Sequence, residues 1–100
     1  MRLFVLGDEQ AVLGFSLAGV GGQAAATPDE VQAGLRQVLD DPDIGILLIT
    51  ADAARMARQE VDRLKLEAAL PLILEIPDSE GVTAEFSIRE FISQAIGVSL

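Results

Sequence analysis

Short apolar runs alternate along the chain with segments of helical period, four times over and without a break that would mark a second domain. Leu3-Phe4-Val5-Leu6 is the first run, and it feeds through Gly7-Asp8 into a helix predicted over about Glu9 to Ala18. Asp8 can cap that helix by accepting a backbone N–H, and Gly19 can take the left-handed conformation that ends it. Val12 and Leu13 are expected to serve the core, while Phe15 and Leu17 widen the apolar surface beyond one stripe. Such a helix is expected to bury one side and to touch a partner on another.

The second run, Val20 to Ala26, is dominated by glycine and alanine and has poor β propensity, so it is expected only as a short edge strand. Thr27-Pro28-Asp29-Glu30 is a compact helix start: threonine as cap, proline at the first helical position, glutamate three residues on to close a capping box. Val31, Leu35, Val38 and Leu39 then recur at helical spacing until Asp40-Asp41-Pro42-Asp43 stops them. Ile44-Gly45-Ile46-Leu47-Leu48-Ile49-Thr50 is nearly unbroken in its apolarity, as a central parallel strand covered on both faces requires. From Ala53 to Ala68 a third helix is predicted, with Ala54, Ala57, Val61, Leu64 and Ala68 on one face and Arg55, Arg58, Asp62 and Lys65 on another. Leu70 to Pro77 reads as the fourth strand, proline being tolerated at its ends. A loop over Asp78 to Val82 leads to a last helix from about Thr83 to Ile96.

Strand followed by helix four times with short connections means parallel pairing through right-handed crossovers. The expected fold is therefore α/β: a small doubly wound sheet of four parallel strands with helices on both faces and a C-terminal helix, and by analogy with flavodoxin-like sheets the expected strand order is 2-1-3-4.

Composition narrows the chemistry. Residues 1–100 suit a single domain with half its positions apolar, and a chain of this size hides only about 60–70% of its unfolded surface, so partner contacts should matter to it. Seven basic against sixteen acidic residues leave a net charge of −9, which disfavours nucleic acid and anionic lipid. Cysteine and histidine are both absent, which removes disulfides, thiol catalysis, the commonest general base and the commonest zinc ligands. No apolar run approaches the roughly 20 residues of a membrane span, and the N-terminal run is too short for a signal-peptide core. A soluble, cytoplasmic protein is expected, with no catalytic, cofactor or metal residues.

The segment Gly7-Asp8 followed by Gly14-Phe15-Ser16-Leu17-Ala18-Gly19 resembles the N-terminal signature of the F subunit of the V-type and A-type rotary ATPases, a Gly-Asp turn leading into Gly-Phe-x-Leu-Ala-Gly. The resemblance continues in Gly45-Ile46-Leu47-Leu48-Ile49-Thr50, in Pro71-Leu72-Ile73-Leu74-Glu75-Ile76-Pro77 and in Ala95-Ile96-Gly97-Val98. It departs at Ser16, where many members carry arginine, and in the glycine-rich second strand. What it implies is a mechanical role: a non-catalytic central-stalk (rotor) component that clasps the coiled-coil D subunit and helps couple ATP hydrolysis or synthesis to proton or sodium movement. It also implies a peripheral place in a membrane-bound complex and a C-terminal segment, 83–100, able to detach. Candidate partner-binding residues are Phe15, Ser16 and Leu17 on the first helix and Phe86, Arg89 and Phe91 on the last; the alternative is that these side chains pack within the domain.

A second reading stays open. The carboxyl ends of the strands in a doubly wound sheet form the usual ligand crevice, and Asp8, Glu9, Thr50, Asp52 and Asp78 should gather there. A receiver-like or other small-ligand domain holding Mg²⁺ could use that cluster. A receiver would, however, want an aspartate at the end of the third strand, where Thr50-Ala51 stands, and a fifth strand. The basic stripe Arg55, Arg58, Lys65 reads first as a solvated face with Arg58 pairing to Asp62 one turn on.

Overall fold

The computed structural model of the protein describes residues 2–77. The predicted last helix lies outside them, and with it Asp78, Phe86, Arg89 and Phe91. Within them the order is β1 (Arg2–Gly7), α1 (Glu9–Leu17), β2 (Gly21–Ala24), α2 (Pro28–Leu39), β3 (Ile44–Thr50), α3 (Ala51–Met56), α4 (Arg58–Glu67) and β4 (Leu72–Ile76). The four strands pair in parallel, as the alternation of runs requires, and stand in the expected order β2-β1-β3-β4.

Local chemistry accounts for most element ends. Asp8 Oδ1 accepts from the Ala11 amide at 2.7 Å to start α1, and Gly19 at φ +86° closes it. Thr27 Oγ1 accepts from the Glu30 amide at 3.2 Å; the Glu30 carboxylate reaches back to the Ala26 amide at 3.0 Å, one residue before the cap itself. β4 is shorter than predicted because Pro71, which follows a cis peptide bond, has no N–H for the ladder.

The third helix is not continuous. Ala57, at φ −132° and ψ 39°, ends α3 and begins α4, and α4 starts without a side-chain cap. Thr50 closes β3 and immediately caps α3, its Oγ1 accepting from the Ala53 amide, so the strand fixes the first turn's direction. The break re-aims the chain, and Ala53, Ala54, Ala57, Val61 and Leu64 all reach one core cluster.

That cluster fills one face of the sheet: Phe4, Leu6, Leu47, Ile49 and Ile73 meet Val31, Leu35 and Val38 of α2 and the small face of α3 and α4. The other face is covered by α1, with Val5, Leu48 and Ile76 packed against Phe15 and Val20. Leu3, Ile46 and Leu74 are only half-buried at its margin, and Leu72, one alternation from Leu74, is 46% exposed. Among the described residues, this second face is covered over only part of its width.

At the carboxyl ends of β1 and β3, Gly7 lies against the Thr50 side chain. A Cβ on Gly7 would stand 2.3 Å from Thr50 Cγ2 and 2.8 Å from its Oγ1, and Thr50 is buried and tied to its capping bond. Gly7→Ala is therefore expected to cost about 2–3 kcal/mol in urea unfolding, the range for overpacking a tight site. Gly14→Ala meets open space on α1 and should instead add about 0.5–1 kcal/mol. Equal effects at the two positions would show that the contact with Thr50 is not what requires glycine.

Candidate functional site

The connections from β1 and β3 leave in opposite directions, so the crevice at their carboxyl ends is the topological switch point of the sheet. It measures about 750 Å³ and is lined by Asp8, Glu9, Glu30, Thr50, Asp52 and Arg55 among others. The acidic residues expected there from the sequence are in place; Asp78 lies outside the described residues. Their engagements are structural, however. Asp8 and Thr50 cap helices, Glu30 closes the capping box of α2, and Asp52 pairs with Arg55. Among the described residues no group of three acidic side chains is arranged to hold a metal ion.

Helix α1 redistributes the expected partner residues. Phe15, expected at the surface, is 7% exposed and packs with Val5, Val20 and Leu48. Leu13, expected in the core, is 63% exposed. The reason is phase: at about 100° per residue, Ala11 and Phe15 share the pole that meets the sheet, which puts Leu13 and Leu17 at the opposite one. Leu17 is accordingly 84% exposed. Ser16 is exposed too, and its Oγ donates to the Leu13 carbonyl at 2.6 Å, a local bond in place of the longer reach an arginine would give.

The basic stripe is knitted into the fold. Arg58 makes two bonds to Glu75 of β4, Nη1 to Oε1 at 3.0 Å and Nη2 to Oε2 at 2.6 Å, and Lys65 pairs with the same carboxylate. The expected Arg58–Asp62 pair is present at 3.1 Å as a secondary contact. Hydrogen bonds from Arg58 and then from Lys65 push the Glu75 carboxyl down to about 2, against the opposing effect of burial. Glu75 is the residue that sequence reasoning undervalued. Its signal was a single charge in an apolar strand: the residue is exposed, as such a charge implies, and its carboxylate also meets cations of α4.

A carboxyl whose folded pKa is depressed stabilises the fold above its unfolded pKa and loses that contribution as pH falls toward the folded value. Glu75→Gln should thus cost about 1 kcal/mol at pH 7, allowing for solvent screening of a partly exposed cluster. It should also flatten the stability profile between about pH 4.5 and 2. Chemical denaturation across that range checks it, and an unchanged acid slope in the variant would remove the cluster from any role in stability.

The fold and the site define a small parallel α/β domain in which Asp8, Glu30, Asp52 and Arg55 at the crevice and the charged groups along α4 are committed to caps and ion pairs. A family model described as ATP synthase (F/14-kDa) subunit matches residues 3–92. The F subunit of the A-type ATP synthase of Thermococcus kodakarensis is 39% identical over 106 residues, spanning 100% of this chain and 98% of that protein. That of Methanothermobacter thermautotrophicus is 33% identical over 102 residues, spanning 99% and 95%. In fold, the chain is similar to the crystal structure of the F subunit of the V-type ATP synthase from Archaeoglobus fulgidus, with TM-score 0.62 and 24% identity over 75% of this chain and 95% of that one. The chain belongs to the ATP synthase (F/14-kDa) subunit family.

Proposed function

We propose that this chain is the F subunit of an A-type or V-type rotary ATPase, a non-catalytic part of the central stalk. It binds the coiled-coil D subunit and helps transmit rotation between ATP chemistry and proton or sodium movement, as a cytoplasmic component peripheral to the membrane. The observation that carries this reading is the match with F subunits of A-type ATP synthases, which runs over essentially all of this chain and of those relatives. The capped and paired acidic residues at the switch point favour it over a receiver-like domain. Mixing the chain with the D subunit of the same source should give a one-to-one complex by light scattering. Absence of that complex, together with a thermal midpoint shifted by Mg²⁺ and acetyl phosphate, would replace the rotor reading with the receiver-like one.

The same reading includes residues 83–100 as a C-terminal arm. Its apolar positions Phe86, Ile88, Phe91 and Ile92 suit the part-covered half of the second sheet face, where Ile46, Leu72 and Leu74 have little over them among the described residues. Docked there in the free protein, the arm would release Phe86, Arg89 and Phe91 to partners when it leaves. The chain has no cysteine, so a single engineered pair reports cleanly. Leu72→Cys combined with Phe86→Cys or with Phe91→Cys is expected to oxidise to an intramolecular disulfide in one of the two variants, and the D subunit should slow that oxidation. Failure of both pairs to close would remove the arm from this face.

A further inference from the structure

The outward pole of α1 is apolar without any packing reason within the described residues. Leu13 and Leu17 lie one turn apart at 63% and 84% exposure, while the helix already meets the sheet through Ala11 and Phe15. A helix apolar on both poles is one that is buried on both. The surroundings of the ridge are bare: a Cβ added at Gly14, Gly19 or Gly21 would meet nothing within 4 Å, so a second backbone can approach closely.

Basic residues are also absent from this side of the described chain. The cations Arg36, Arg55, Arg58, Arg63 and Lys65 belong to α2, α3 and α4, and Arg2 pairs with Asp41 at the start of β1. The described segment from Gly7 to Ala26, which carries α1 and β2, holds Asp8 and Glu9 and no basic residue. Resting on the reading that this chain binds a coiled coil, we infer that Leu13 and Leu17, with Gly14 between them and Glu9 at the rim, are the seat of one helix of that partner. The helix presents an apolar stripe edged by lysine or arginine. Two leucines at i and i+4 set into a groove are the usual anchors of helix-to-helix docking, and the rim charge sets approach and salt dependence.

The test uses the full chain and the D subunit of the same source. Leu13→Ser and Leu17→Ser are each expected to weaken the complex roughly tenfold, as anchors of about 1.4 kcal/mol do. The thermal midpoint of the isolated chain should stay within a few degrees. Glu9→Lys should weaken binding and flatten its dependence on salt, whereas Leu66→Ser, at an 88% exposed leucine of α4, should leave binding unchanged. Unaltered affinity in both α1 variants overturns the surface assignment while leaving the rotor reading intact; no complex even with the unmodified chain overturns both. A large drop in the midpoint of either variant alone would mean that this chain's own residues cover the ridge. A homodimer of the free chain that either substitution dissolves would make a second copy the occupant. Each of these last two outcomes also refutes the inference.

Discussion

Everything in this domain depends on β3 being apolar on both sides. A parallel strand between two neighbours can be built from a run such as Ile44–Ile49 only if helices close over both faces, and Leu47, Leu48 and Ile49 are fully buried as a result. The described chain meets that demand unequally. One face receives α2, α3 and α4 and a continuous cluster; the other receives α1 over β1 and β2, with Ile46 and Leu74 left half-covered. This imbalance separates two kinds of apolar surface among the described residues. One continues the core across β3 and β4, and the other, on α1, faces away from it.

Polar chemistry is local and architectural. The acidic side chains that a doubly wound sheet gathers at its switch point are the same ones that begin its helices, and a carboxylate holding a backbone amide at a helix start is poorly free to ligate anything else. A family with no chemistry of its own can keep such residues for folding alone. The charge excess of −9 then works at long range, on the approach of partners, more than within any pocket.

The parallel pairing and the starts of α1 and α2 were legible in the sequence because each rests on a local signal: an apolar run, an Asp or Thr–Pro cap, a glycine past a helix end; the strand order is not local and came in part by analogy with flavodoxin-like sheets. The break at Ala57 was not legible, because alanine carries no helix-stopping chemistry and the bend answers a tertiary need to place Ala54 and Val61 in one cluster. The exchange of Leu13 and Phe15 had a different cause. A nine-residue helix apolar on two opposite poles offers no clear periodicity by which to choose its inward one, and only the close fit over β1 and β2 decides it. The role of Glu75 required knowing that Arg58 and Lys65 lie across the sheet face from β4.

That salt cluster also acts as a proofreader of alignment. Side chains on a strand alternate in direction, so sliding β4 by a single position against β3 would carry the Glu75 carboxylate to the opposite side of the sheet. There it would face Leu48 and Val5 with no cation among the described residues to meet it. The edge strand of an otherwise greasy, self-similar ladder is thereby held to one alignment by the penalty attached to its neighbours.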